Sequence, residues 1–289
     1  MNRMLSCLAL GAMIPLFAAE NLPVEPFGKW QLPRTWKSAE ETLEYPFKGW
    51  SSIAGKLNLP ENGVYRFRFS YRSPGAVKDP LKIRIGKQLM AAYPSTETWS
   101  VGTLYFHGEK GICPIGFQAE GKAPYTLQLK QPKLELLKEA DTQKIRLDAA
   151  DGTAPFRMMK GESFQTVEAA DHIDGGMAFR PRGKDGKNIR SIELPVRPDQ
   201  KYRLSFWVKG TPGTFRAFVD GGWMPNVKHW SFGQTKRVSE KWTRQTLEFV
   251  YPGESKYPHH KRRLLSIGFS VPAGQSELIL KDPELECLR

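Results

Sequence analysis

YRFRFSYRSPG at Tyr65–Gly75 and YRLSFWVKGTPG at Tyr202–Gly213 decide the fold. Successive side chains of an extended chain point to opposite faces. In the second stretch Tyr202, Leu204, Phe206 and Val208 therefore share one face, and Arg203, Ser205, Trp207 and Lys209 the other. In the first, Tyr65, Phe67, Phe69 and Tyr71 oppose Arg66, Arg68, Ser70 and Arg72. An apolar face backed by a polar one is the pattern of an antiparallel sheet with one side on a core and the other in water. Both stretches run into a Pro-Gly turn.

Working outward, three more anchors recur in the same order. WSVGTLYF at Trp99–Phe106 resembles WTRQTLEF at Trp242–Phe249, IGF at Ile115–Phe117 matches Ile267–Phe269, and PKLELL at Pro132–Leu137 resembles PELECL at Pro283–Leu288. Colinear matches of this kind mean two copies of one fold. The second copy gains six residues between its first two anchors, within Thr211–Gln234, and nine more before the third, within Gly253–Arg263. Insertions settle in surface loops, where function concentrates. Short alternating strands and turns such as SPG, TPG and PAG predict an all-β chain of two tandem antiparallel β-sandwiches.

The rest of the composition agrees. The 289 residues include 26 Gly and 22 Pro, with 11% aromatic and 25% charged residues. That is a folded composition, not a disordered one. Arg3, the apolar run Leu5–Phe17 and Ala18-Ala19 have the layout of a secretory signal peptide. The expected organisation is a signal peptide at 1–19, a first copy at 20–137, a linker at 138–146 and a second copy at 147–289. Beyond residue 19, Cys113 and Cys287 fall in different copies inside apolar patterns, which favours buried free thiols over a disulfide. The net charge of +13 is spread over both copies, no nucleic-acid-binding signature accompanies it, and export argues against such a partner. After signal cleavage no run approaches the roughly 20 apolar residues of a bilayer span.

The string GGMAFRPRG…NIRSIELPVRPDQKYRLSFWVKG, followed by KWTRQTLEFVYPG and LILKDPELECL, resembles the carbohydrate-binding modules of the CenC type. The resemblance covers Ile145–Leu288 and, more weakly, Phe27–Leu137. It implies galactose-binding-like jelly-roll β-sandwiches that bind polysaccharide. It also implies a structural calcium near an acidic residue of the closing strand. Asp282 stands there in copy two, whereas copy one has Gln131. Asp282 is thus the candidate metal ligand, although it could simply open a turn before Pro283; no other cofactor is expected.

Sugar rings have apolar faces and polar edges, so tryptophan beside hydrogen-bonding groups suits them. Trp99 and Trp242 recur in both copies and are expected in the core; Trp30, Trp36 and Trp50 are expected to pack under loops. Trp207 differs: it shares the polar face with Arg203 and Lys209, and its counterpart is Ser70. It is either a binding platform or covered by the inserted loop or by copy one. The loop DGGWMPNVKHWSFGQ places Trp223 and Trp230 near Asn226 and His229. This loop is either part of a site or packed by its own aromatics. The expected ligand site is Trp207, Trp223 and Trp230 with Arg203, Lys209, Asn226 and His229. The second insertion, KYPHHKRR at Lys256–Arg263, is either a solvated loop or a contact for an anionic partner.

No GxSxG, HExxH, P-loop or CxxC motif occurs. The expected function is an exported, non-catalytic carbohydrate-binding protein, with anionic glycans a candidate class. The rivals are an adhesive or structural surface protein that contacts other proteins, and a polysaccharide-degrading enzyme. The oligomeric state is left open.

Overall fold

The computed structural model describes residues 19–32, 36–39, 42–46, 51–75, 81–86, 88–93, 96–119, 126–147, 157–160, 163–166, 170–173, 176–179, 187–221, 230–253, 263–272 and 277–288. The expected signal peptide, apart from Ala19, lies outside them, as do Trp50, Trp223, Asn226, His229 and the segment 256–262.

Copy one contains β1 (Glu20–Leu22), β2 (Lys37–Ala39), β3 (Thr42–Pro46), β4 (Ser51–Leu59), β5 (Gly63–Arg72), β6 (Leu81–Ile85), β7 (Gln88–Tyr93), β8 (Ser100–Gly108), β9 (Gly111–Ala119) and β10 (Thr126–Leu137). One sheet runs β2-β3-β10-β5-β8 with β1 also on β10; the other runs β4-β9-β6-β7. From β3 to β10 the chain passes back and forth between the sheets, crossing between them everywhere except at the β6–β7 hairpin. Eight antiparallel strands wound this way are a jelly roll.

Copy two repeats the winding. It contains β11 (Lys144–Arg146), β12 (Arg157–Lys160), β13 (Ser163–Thr166), β14 (Ala170–Ile173), β15 (Gly176–Phe179), β16 (Lys187–Pro195), β17 (Lys201–Gly210), β18 (Gly213–Asp220), β19 (Ser231–Val238), β20 (Thr243–Val250), β21 (Leu264–Val271) and β22 (Leu278–Leu288). Its sheets run β14-β15-β22-β17-β20, with β11 also on β22, and β13-β12-β16-β21-β18-β19. Strands β3 to β10 correspond one for one to β15 to β22. The hairpin β12–β13 widens the second sheet beyond its counterpart in copy one. Lys144–Arg146, expected in the linker, is a strand of copy two paired with Glu284–Glu286.

The alternation read from the sequence is the burial pattern. Tyr65, Phe67, Phe69 and Tyr71, and Tyr202, Leu204, Phe206 and Val208, are all buried. Equivalent rings make equivalent contacts. Phe69 meets Phe117 edge-on at 5.1 Å and Phe206 meets Phe269 edge-on at 4.9 Å; Tyr65 stacks with Phe106 at 5.5 Å and Tyr202 with Phe249 at 5.8 Å. Offset and edge-to-face geometries suit the quadrupoles of the rings. Trp30 and Trp36 are buried in the first copy's core, Trp30 edge-on to Phe27 and Phe117 and Trp36 stacked on Tyr45. Cys113 and Cys287 are free thiols, each half-buried, and burial raises the pKa of Cys113.

Both closing strands carry the same irregularity. Gln131 and Pro132 together oppose Phe69, and Asp282 and Pro283 together oppose Phe206, since the register slips between Lys130 and Lys133 and between Lys281 and Glu284. Gln131 and Asp282 take left-handed φ values of 54° and 50°. Two residues against one is a β-bulge, which bends the strand and adds twist. Proline tolerates that position because the bulge leaves one N–H outside the ladder.

The two insertions fall in connections. β6 and β7 are joined by residues 86–87 but β18 and β19 by 221–230; β8 and β9 are joined by 109–110 but β20 and β21 by 251–263. Both long loops leave the same end of copy two, because Trp230 from one meets Tyr251 from the other at 5.6 Å. The copies themselves touch through β16 and β8. Arg197 also binds the linker, through the carboxylate and backbone oxygen of Glu139 and the hydroxyl of Thr142.

In the second sheet of copy two, Asp220 is buried and pairs with Arg190 at 2.6 Å. The guanidinium also lies 5.3 Å from the centre of the Phe218 ring. Phe218 is itself buried across Gly268, where an added Cβ would fall 2.2 Å from the ring.

Candidate functional site

The outer face of the β22-β17-β20 sheet carries the side chains that alternate with the core. Trp207 is 40% exposed on it. Phe206 and Val208, both buried, fix the strand from below. Across the ladder Trp207 stands opposite Arg244 on β20 and Lys281 on β22. Directly paired residues of a sheet share a face, with Cβ atoms about 5 Å apart. The indole thus has a cation on each side. Beyond Arg244 lies Trp242, with the ammonium of Lys209 4.9 Å from its ring centre. The result is two tryptophans and three cations at one corner of a rigid sheet.

Arg203 lies four residues nearer the start of the strand than Trp207 and is committed to acids. It donates twice to Glu248, at 2.7 and 2.9 Å, and approaches Glu286 at 3.7 Å. Lys201 reaches the same Glu248 at 2.7 Å. Hydrogen bonds from Lys201 and Arg203 hold the Glu248 carboxyl below its ordinary value. These pairs persist at neutral pH and are lost as pH falls through that lowered value. Arg203 therefore organises the edge of the site, whereas Lys209 sits within it.

Comparison of the copies sorts the residues further. Arg72 and Lys130 of copy one lie 4.9 and 4.0 Å from the ring centre of Trp99, as Lys209 does over Trp242. The expectation that Trp99 and Trp242 are core residues is corrected: both are half-buried on the outer faces, with cations over their rings. Their position just before a strand of polar-apolar alternation does not reveal which face the indole takes. The tryptophan–cation pair recurs in both copies, whereas the platform Trp207 occurs in copy two alone.

The expected union of Trp207 with Trp230 is also corrected; Trp223, Asn226 and His229 lie outside the described residues. Trp230 is half-buried and packs on Phe249 at 5.8 Å and on Tyr251. Phe249 belongs to the core, so Trp230 lies on the inner side of the sheet whose outer side bears Trp207. Side chains on opposite faces cannot grip one ligand. Trp230→Ala should therefore lower stability, by about 1–2 kcal/mol for a half-buried aromatic, and leave the Trp207 face intact. A thermal melt checks this; an unchanged Tm would contradict it.

Arg244 and Lys281 were not singled out in the sequence. They come from other strands, and only the ladder register brings them to Trp207. Asp282 is the bulge residue described above, and its carboxylate pairs with the Arg146 guanidinium. Among the described residues no group of three or more His, Cys, Asp and Glu side chains gathers there or elsewhere. Among them, too, no helix is long and apolar enough to cross a membrane.

Chemically, the corner can stack a flat apolar surface on Trp207 and pair an anionic substituent with Arg244, Lys281 or Lys209. A guanidinium offers a carboxylate or sulfate two parallel donors, and an ammonium a point charge.

No known family's sequence profile matches the chain, and no curated protein does. Among solved structures the chain is similar to the N-terminal CBM22-1–CBM22-2 tandem domain of Paenibacillus barcinonensis Xyn10C, at 15% identity and a TM-score of 0.38, covering 94% of this chain and 98% of that one. It is also similar to the CBM22-1 xylan-binding domain of the same protein, at 13% identity and a TM-score of 0.37 over 50% and 94%. A third is TmCBM61, solved with β-1,4-galactotriose, at 14% identity and a TM-score of 0.30 over 47% and 90%.

Proposed function

We propose that this chain is an exported, non-catalytic glycan-binding protein, and that the Trp207 corner of copy two holds an anionic saccharide. One observation carries the reading: an exposed tryptophan on the outer sheet face, with Arg244 and Lys281 directly across the ladder on either side. A buried aromatic would have served packing, and a lone exposed one would need no explanation. A platform flanked by cations on a pre-formed surface matches a sugar ring that bears a carboxylate or sulfate. The residue-19 cleavage pattern supports export, and the mature chain is expected to begin near Glu20.

A protein-adhesive role would call for a contiguous apolar patch. The large apolar side chains exposed among the described residues are Ile112, Trp207 and Val250, on separate strands. A glycan array on the purified protein, run at low and at physiological salt, tests the proposal. Retention of carboxylated or sulfated glycans, weakening with salt, is expected. Retention of neutral glycans alone, indifferent to salt, would remove the anionic part, and retention of none would remove the whole reading.

A further inference from the structure

Residues 138–143 are all that separate β10 of copy one from β11 of copy two. Two domains joined by a short connection move against one another by default, unless a large apolar interface stops them. Here β16 meets β8 and β7, and β13 meets β7. Beside that contact lies a cleft of about 760 Å³, walled by both copies and the linker and lined in part by His107, Glu109, Thr142, Pro195 and Arg263. Close packing therefore stops short of the joint and does not by itself fix the angle there.

The linker is itself folded. Ala140–Thr142 form a single 3-10 turn. The Lys138 N–H donates to the Asp141 carboxylate at 2.8 Å, and the Thr142 hydroxyl donates to the Glu139 carbonyl at 3.0 Å. Copy two holds the far end, where the Cys287 N–H donates to the Gln143 carbonyl at 2.7 Å. Arg197, next to the buried Val196, holds the middle. One end of its guanidinium meets the Glu139 carboxylate. The other donates to the Glu139 carbonyl at 3.0 Å and to the Thr142 hydroxyl at 3.1 Å. The backbone of Arg197 is fixed in turn, because its N–H donates to the buried Tyr202 hydroxyl at 2.7 Å. A planar guanidinium can serve three acceptors at once, whereas an ammonium is a point charge on a flexible stem.

Copy one shows that the fold does not need this arginine. Five residues before Tyr202 stands Arg197, and five before Tyr65 stands Pro60, which has no side-chain donor. The tyrosine anchor is common to both copies, since the Tyr65 hydroxyl donates to the Glu61 carbonyl at 2.5 Å. The arginine occurs only where the linker passes.

We infer that Arg197 latches the linker to copy two and makes the junction a rigid joint rather than a hinge, holding the two copies at one angle. With that angle fixed, a polymer that reaches both copies meets a pre-formed surface, and less ordering opposes its binding. The Glu139 carboxylate is 72% exposed, so its ion pair contributes little. The carbonyl and hydroxyl contacts carry the latch, and neither acceptor is charged.

The test uses the full chain without ligand. Trypsin cleavage after Lys138, followed by mass spectrometry, reads the opening of the linker, because proteolysis tracks the open population. Arg197→Ala should speed this cut about tenfold, and X-ray scattering should show a wider spread of distances than in the parent. Arg197→Lys should speed it nearly as much. Glu139→Gln keeps both uncharged acceptors and should change the rate less than about threefold. Thr142→Val, which touches neither core, should also speed the cut. Combined with Arg197→Ala it should add less than its separate effect, as for two ends of one contact. Strictly additive effects would assign the change to general destabilisation of copy two and overturn the latch. So would a parent cut as fast as Arg197→Ala, unchanged scattering in that variant, or an equal acceleration in Glu139→Gln. The joint includes no residue of the Trp207 site, so its failure and the failure of that site are separate results.

Discussion

Trp207→Ala should reduce affinity for an anionic glycan by roughly tenfold to a hundredfold while the protein melts near its parent temperature. The range corresponds to about 1–3 kcal/mol for a lost stacking platform, by analogy with bases on aromatic side chains. Stability should hold because the indole is 40% exposed and lies over the outer face rather than in the core. Its neighbours Phe206 and Val208 keep the strand in place. Trp207→Phe should retain part of the affinity, since a smaller apolar face remains. Titration with a ligand from the array, beside a thermal melt of each variant, provides the check. Unchanged affinity in Trp207→Ala would exclude the platform; a large fall in Tm would mean that the residue packs after all.

Asp220→Asn should destabilise copy two by about 3–5 kcal/mol, the range for breaking a buried ion pair by removing one partner. Asp220 is 1% exposed and Arg190 approaches it at 2.6 Å. Burial lowers the pKa of the Arg190 guanidinium, and Asp220 opposes that shift. With the acid neutralised, the cation stays in a poorly solvating place, and Phe218 alone cannot hold it. The corresponding fall in Tm is on the order of 10 °C. Replacing both partners, Arg190→Met with Asp220→Leu, should recover most of the loss, because no charge is then left buried. Chemical denaturation of the single and double variants checks both parts. A single variant as stable as the parent would show that the pair contributes nothing, and a double variant as unstable as the single would assign the effect to shape.

These variants separate what is local from what is assembled. The period of two in Tyr65–Tyr71 and Tyr202–Val208 was legible because a strand can bury only one face, and the buried face is written in consecutive residues. The repeat was legible because both copies solve the same packing problem with the same rings at the same rungs. Trp207 was legible as a polar-face residue by parity alone. The side for Trp230 was not, because a loop residue has no parity. Its contact with Phe249 depends on where the chain enters β19, which no alternation in the sequence sets. Trp99 and Trp242 were placed in the core because recurrence signals a structural role. They have one, beneath cations on the outer face, and recurrence cannot say which side of a sheet a role is played on.

The sequence by itself determined the strands, their inward faces, the two copies and the connections that lengthened in the second. Each of these is set by alternation or by order along the chain. Only the tertiary structure decided that Arg244 and Lys281 flank Trp207 and that Arg203 is tied to Glu248. It also decided that Asp220 lies buried against Arg190. Each of these depends on which strands are neighbours and on their register across the bulge. A jelly roll joins strands that are far apart in sequence, so the chemistry of its faces is written between strands rather than along them.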